Sequence, residues 1–291
     1  MVKQYSQLYL DVRNRLLEKE GEHMAAQMAK DLLCGLSGKT REQFLRDREL
    51  YASEQFCNTV EVAVKRLLAD EPLAYILGEW SFYGLDLYVN SNVLIPRDDT
   101  CALAEFAMRE GLFSEAKPRI LDLCTGSGCI GIAIASRVKN AQITLADISS
   151  DALTVAKRNV SRHKLGGRVC CVSVDALRPA PEFLGKFHMV VSNPPYITSG
   201  QMLELDRSVK DYEPHLALCG GDDGLIFYRS IVENFTSALH PGGYLCFEFG
   251  EEQGDDVCNI LEKHGYTILE RVRDFNDRER AVLAQYDRKE K

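Results

Sequence analysis

Long hydrophobic runs are missing from this chain. None of its apolar stretches approaches the roughly 20 residues of a membrane-spanning helix, so a spanning protein is excluded as the reading. The opening stretch MVKQYSQLYLDVRNRLLEKEGE carries charge throughout and lacks the apolar core of a signal peptide, which sets the expectation of a cytoplasmic protein. Basic charge is not in excess either. With 35 Lys and Arg against 43 Asp and Glu the net charge is −8, and gripping a long nucleic acid through its phosphates needs a basic surface, so no extended nucleic-acid binding is expected. Ten cysteines are present, yet no Cys-x-x-Cys pair and no Cys/His spacing suited to zinc occurs among them; reduced thiols, mostly buried, are expected. The six histidines (His23, His163, His188, His215, His240, His264) show neither metal nor triad spacing, and no metal is assigned. Internal repeats and low-complexity tracts are absent as well.

What remains is an ordinary globular composition, 45% hydrophobic and 27% charged over 291 residues, long enough for two domains. Residues 1–78 read as a helical bundle: Leu8, Val12, Leu16 and Leu17 recur at helical spacing, and a break at Cys34–Thr40 separates two such segments. Between Trp80 and Pro96 the period falls to two, with Phe82, Leu85, Leu87 and Val89 before Asn90-Ser91-Asn92 and Val93, Leu94, Ile95 after it. That pattern predicts a β-hairpin turning at Asn90–Asn92, a linker over 79–100. From residue 101 to 291 strands and helices alternate, the sign of an α/β fold on a mostly parallel sheet. Strands are predicted at 119–124, 142–148, 168–175, 187–192 and 243–250, with a closing hairpin of 266–275 and 279–286 turning at Asn276-Asp277.

The ends of those strands carry the chemistry. Asp122-Leu-Cys-Thr-Gly126-Ser-Gly128-Cys-Ile-Gly131 contains G-x-G-x-x-G between a strand and a helix, and Asp147 ends the next strand, where its carboxylate can accept both hydroxyls of a ribose. Taken alone this pattern suits a nicotinamide dehydrogenase. Three features favour S-adenosylmethionine instead. Asp122 puts a carboxylate beside the bay, which would repel a pyrophosphate and attract an ammonium and a sulfonium. Asp175, at the third strand's end, is placed for an adenine amino group. The fourth strand ends in Asn193-Pro194-Pro195-Tyr196, a corner a dehydrogenase does not need. The implied fold is a Rossmann-like class I S-adenosylmethionine-dependent methyltransferase domain preceded by a small helical bundle.

The corner has its own logic. Proline lacks the N–H a strand ladder needs, so two in succession end the strand in a stiff turn. An amide or exocyclic amine delocalises its lone pair and attacks poorly. The Asn193 side-chain oxygen and the Pro194 carbonyl can accept its two N–H bonds, aim the lone pair and favour tetrahedral nitrogen, while Tyr196 offers a face for stacking. No general base is required, since the proton can leave after transfer.

The stretches PLAYILGEWSFYGL, VLIPRDDT, ILDLCTGSGCIGIAIA, SNPPYI, YEPHLAL, GGDDGLIFYRSI and LHPGGYLCFEFG together resemble the HemK/PrmC family of peptide chain release factor N5-glutamine methyltransferases. The resemblance implies a class-1 release factor as protein substrate, modified at the glutamine of its Gly-Gly-Gln loop, with the helical residues 1–78 as docking domain and 101–291 as catalytic domain. It implies that Cys124, Thr125, Gly126, Ser127 and Gly128 wrap the methionine part of the cofactor, that Asp147 holds the ribose, and that Asn193, Pro194, Pro195 and Tyr196 hold the glutamine amide. A cofactor contact follows the third strand, where Ala176 is smaller than the aromatic sometimes found. Cys124 stands where the family usually has glycine, and Cys101 where it commonly has an acid. A nucleic-acid amino methyltransferase of the adenine-N6 type shares the Asn-Pro-Pro-Tyr corner and is the alternative reading.

Overall fold

The computed structural model describes residues 2–109, 116–274 and 277–287. Two compact units divide the chain, Met1–Glu79 with Arg207–Tyr212, and Trp80–Asp206 with Glu213–Lys291.

The first unit is helical: α1 (Tyr5–Leu16), α2 (Glu22–Ser37), α3 (Arg41–Arg46), α4 (Glu54–Leu68) and α5 (Leu73–Leu77). Its core forms because Leu8, Val12 and Leu16, one face of α1, meet Ala25, Ala29, Leu32 and Leu33 of α2 and Val60, Ala63, Val64 and Leu67 of α4, all buried. Ser53 and Thr40 cap α4 and α3 by accepting the N–H groups of Phe56 and Gln43. The break expected from Cys34 onward starts later, since α2 runs on to Ser37. Gly35 stays helical because α5 packs against it there; a Cβ at this position would lie 2.7 Å from the Leu77 methyls. Arg207–Tyr212, from far along the chain, joins this unit through an Arg207–Asp70 ion pair of 3.1 Å and a hydrogen bond donated by the Tyr212 hydroxyl to the Ala69 carbonyl.

The second unit opens with a hairpin of β1 (Glu79–Phe82) and β2 (Leu85–Tyr88), so the turn expected at Asn90–Asn92 is in the wrong place. The chain reverses at Tyr83-Gly84, with φ of +51° and +74°, the left-handed pair that matches strand twist in a two-residue turn. Asn90 does bend the chain, its side chain accepting from the Asn92 N–H, but no second strand follows. The hairpin is not a free-standing linker: Phe82 and Leu87 are buried in the main core of this unit.

Beyond it come α6 (Cys101–Met108), β3 (Arg119–Leu123), α7 (Cys129–Arg137), β4 (Gln142–Asp147), α8 (Ser150–Arg162), β5 (Val169–Ser173), β6 (Phe187–Ser192), the short α9 (Arg207–Lys210) of the first unit, α10 (Ile226–Phe235), β7 (Leu239–Glu248), α11 (Gly254–Lys263), β8 (Tyr266–Arg273) and β9 (Glu279–Tyr286). The seven-stranded sheet runs β5-β4-β3-β6-β7-β9-β8, five strands parallel and β9 antiparallel to both of its neighbours. Phe275, the expected end of the first closing strand, and Asn276, the first residue of the expected turn at Asn276-Asp277, lie outside the described residues. Alternation along the strands sends Ile120, Met189 and Val191 toward α6, α7 and α8, and Leu121, Leu123 and Val190 toward α10 and α11. Because β3 pairs with β4 on one side and β6 on the other, the order reverses at β3. A crevice therefore opens at the carboxyl ends of these strands.

The approach of α7 to β4 depends on Gly131, where a Cβ would lie 2.9 Å from the Ile143 Cγ2 and 3.0 Å from an Asp122 carboxylate oxygen. Gly131→Ala should cost about 1–3 kcal/mol through overpacking and lower the melting temperature accordingly; an unchanged melting temperature would show that the sheet and helix yield freely at this point.

Candidate active site

A cavity of about 260 Å³ occupies the crevice. Of the residues singled out from the sequence, Cys124, Thr125, Gly126, Ser127, Asp147, Asp175, Ala176, Asn193 and Pro195 line it. Asp122, Gly128, Pro194 and Tyr196 do not.

The glycine loop is held from beneath. Asp122 is fully buried, and one of its oxygens accepts both the Thr125 hydroxyl at 2.7 Å and the Gly131 N–H at 2.9 Å. The other oxygen has no partner. Burial outweighs those two hydrogen bonds, with Asp147 adding repulsion, and pushes the carboxyl up to about 7. The carboxylate expected beside the bay is thus a clamp under the loop, not a wall of it. Asp147 does face the cavity. Its two oxygens accept the N–H groups of Gly126 and Ser149, each at 2.9 Å, so the carboxylate is aimed while lone pairs remain. Burial raises its pKa as well, against the pull of these backbone donors. Cys124 takes φ +59°, a conformation glycine adopts at less cost, and burial holds its thiol neutral. Asp175 closes the far side, one oxygen accepting the Leu177 N–H at 2.8 Å.

Asn193 stands half-buried at the end of β6, its Nδ2 3.3 Å from the Thr100 hydroxyl oxygen. Tyr196 is turned into the protein, packing beside the core under α10 and α11, and burial raises its phenol well above the ordinary range, so it is no base. The chain after the two prolines is tied down by its neighbours: the Ile197 N–H donates to the Leu218 carbonyl, the Gly220 N–H returns to the Ile197 carbonyl, and the Gln253 amide donates to the Tyr196 carbonyl at 3.0 Å.

Several residues that complete the site were not singled out. Thr100 is one. Glu213, only 1% exposed at its side chain, pairs with Arg97 and accepts the Ile95 N–H at 3.0 Å, joining two segments that both line the cavity. Glu248 is buried at the end of β7, where hydrogen-bonding groups of Thr100 and Asn193 face it. A signal for Glu248 was present, a lone acid inside the apolar run Cys246-Phe247-Glu248-Phe249. Among the described residues no group of three or more His, Cys, Asp or Glu is placed to hold a metal ion, and all ten cysteines are free.

For Asp122 the sign of the pH effect follows from a folded pKa of about 7 against about 3.9 in the unfolded chain. The native state binds the extra proton between these values, so stability falls as pH rises through that window and levels above it. Asp122→Asn, which can keep one acceptor for Thr125 and Gly131, should flatten the slope of melting temperature between about pH 5 and about pH 8; a slope equal to that of the parent protein would contradict the buried, protonated carboxyl.

Residues 105–210 match the methyltransferase small domain and residues 10–78 the PrmC N-terminal domain. A release factor glutamine methyltransferase of Clostridium acetobutylicum is 37% identical over 92% of this chain and 94% of its own length. The protein of that name from Chlorobaculum tepidum is 38% identical over 89% and 90%. Among solved structures the hMettl16 catalytic domain superposes with a TM-score of 0.54 at 14% identity, covering 83% of this chain and 86% of that one, a likeness of fold alone. The strand order, the crevice at its reversal and relatives that match through both compact units lead to one conclusion: the chain belongs to the release factor glutamine methyltransferase family.

Proposed function

We propose that the protein transfers a methyl group from S-adenosylmethionine to the side-chain amide nitrogen, N5, of the glutamine in the Gly-Gly-Gln loop of class-1 peptide chain release factors. The observation that carries the reading is the Asn193 side chain on the cavity wall with its Nδ2 toward Thr100, which leaves Oδ1 to accept from an incoming amide.

The residues present suit the donor. Gly126 lines the cavity with φ +54°, and a Cβ there would meet no protein atom within 4 Å, so its missing side chain leaves room for a bound group against the loop backbone. Carboxylates at Asp147 and Asp175 suit ribose hydroxyls and an adenine amino group, and an acidic surround favours a cationic ligand. Ala176 leaves the wall beside Asp175 shallow, and Phe227 supplies an apolar surface in the same cavity. When bound, S-adenosylmethionine supplies a methyl on a sulfonium, whose carbon–sulfur bond breaks as the carbon–nitrogen bond forms.

The protein's own part is orientation. Asn193 Oδ1 and the Pro194 carbonyl accept the two N–H bonds of the glutamine amide, which turns its lone pair out of conjugation and toward the methyl. Pro194 and Pro195 hold that geometry without needing N–H partners. The proton lost from nitrogen passes to water, since Tyr196 holds its own. Tyr196 stiffens the corner from within more than it offers an open stacking face. The helical residues 1–78, within the first unit, are assigned to docking the protein substrate; Leu45 and Tyr51 among them are 64% and 71% exposed, apolar surface of the kind a protein partner covers. No helix among the described residues is long and apolar enough to cross a membrane. A cytoplasmic site of action agrees with substrates that serve translation termination.

The test is transfer of labelled methyl to a release factor, to its Gln→Ala loop variant, and to bulk RNA and DNA. Label is expected on the release factor alone and lost with the loop variant; label on RNA or DNA instead would move the assignment to a nucleic-acid amino group. Within the same assay Asn193→Ala should bind donor within about threefold of the parent yet lose about a hundredfold or more in turnover, while Asp147→Ala should mainly weaken donor binding. Unchanged turnover in Asn193→Ala would sink the amide-positioning mechanism.

A further inference from the structure

Glu248 is a buried acid with no task in the mechanism above. Glu248, 2% exposed at the end of β7, has one carboxyl oxygen with no hydrogen-bond partner, and Thr100 and Asn193 both face the carboxyl with hydrogen-bonding groups. Thr100 is buried too, at 2% exposure, and its hydroxyl oxygen stands 3.3 Å from Asn193 Nδ2.

The oxygen and nitrogen ends of an asparagine carboxamide have nearly the same shape, so sterics cannot decide which end faces the cavity; only the hydrogen bonds around it can. A hydroxyl has a single proton. If Thr100 donates it to an acceptor behind, its oxygen is left to accept from Asn193, and the carboxamide is locked with nitrogen inward and oxygen outward. A carboxylate is such an acceptor, having no proton of its own to give. We propose that Glu248 is a positioning residue: through Thr100 it fixes the direction of the Asn193 carboxamide, so that Oδ1 faces the cavity. The proposal deepens the amide-positioning role given to Asn193 above and rests on it.

The direction holds only while Glu248 is an acceptor. A protonated Glu248 can donate to Thr100 or to Asn193 Oδ1, and either bond lets the carboxamide turn over. Burial is the main force favouring that proton, and it carries the carboxyl up to about 7. Hydrogen bonding from Thr100, the charge of Arg280 on β9 and hydrogen bonding from Asn193 itself oppose it, and Asp99, beside Thr100, reinforces it. The other ionisable neighbours, Tyr196, Tyr228, Cys101 and Cys129, all have raised pKa values and stay neutral near pH 7. Arg280 is itself fixed by Asp274 at 2.9 Å and Asp99 at 3.4 Å, so this cation facing the carboxyl is held in place. Carboxamide direction, and turnover with it, therefore improve as pH rises through neutrality.

The experiment follows the Asn193 side-chain amide by NMR in full-length protein labelled with nitrogen-15, its resonances assigned with Asn193→Ser, from about pH 5.5 to about pH 8.5. In the parent protein the Nδ2 resonances should shift with a midpoint near neutrality, and in Glu248→Gln the shift should vanish, which separates Glu248 from Asp122 and every other acid. No titration in the parent, or the same titration in Glu248→Gln, overturns the proposal. Turnover of Glu248→Gln should fall at least about tenfold at the alkaline end, with donor affinity and release-factor KM within about threefold and with its rise across neutrality lost. Turnover and pH profile equal to the parent's also overturn it. A parent protein that methylates no release factor would instead defeat the glutamine assignment, and the amide titration would still decide the role of Glu248.

Discussion

The contact between Asn193 Nδ2 and the Thr100 hydroxyl, 3.3 Å long, ties the end of β6 to the segment that enters α6, and much of the irregular structure of the second unit serves to hold these two residues. Arg97 pairs with Glu213, Asp99 with Arg280, and Thr100 with Asn193, so three of four consecutive residues are committed to different parts of the chain. On the other side the two prolines end β6, and Leu218, Gly220 and Gln253 bind the backbone that follows. Each of these bonds is worth about 1 kcal/mol net. Their shared effect is to remove alternatives to one orientation, and orientation is what an amide nucleophile lacks.

Buried acid gathers in and beneath the same crevice. Two oxygens of Asp147 and one of Asp122 are engaged by backbone or hydroxyl donors, yet burial still prevails and both acids are raised. Carboxyls raised by burial have unspent affinity for a cation, since a bound positive charge favours their ionised forms. Acidity in the chain as a whole, net −8, runs in the same direction and away from phosphate backbones.

Where residues sit close in sequence, the lining of the cavity was legible from the sequence, as with Cys124–Ser127, Asp147, Asn193 and Pro195. The glycine loop, Asp147 one strand on, and the Asn-Pro-Pro-Tyr corner are local patterns with local causes, and the parallel order follows from the alternation of strands and helices. What could not be read depends on partners far along the chain: Thr100 lies 93 residues from Asn193, and Arg97 lies 116 from Glu213. Asp122 was visible as an acid beside the loop, but only three-dimensional burial shows that it points beneath the loop. The hairpin turn was misplaced because Tyr83 takes a left-handed conformation that its side chain does not advertise, while Asn90-Ser91-Asn92 looks like a turn, bends the chain, and leads to no strand. Glu248 was overlooked as one acid in a strand, although an unexplained charge in an apolar run marks a partner waiting elsewhere in the fold.

The most direct measurement is a crystal structure of the protein with the demethylated donor product and a release factor whose loop glutamine is intact. The glutamine amide nitrogen should lie within hydrogen-bonding distance, about 2.7–3.2 Å, of both Asn193 Oδ1 and the Pro194 carbonyl, on the side of the cavity facing the donor sulfur. A glutamine amide held by other groups, with Asn193 turned away from it, would contradict the account at its centre.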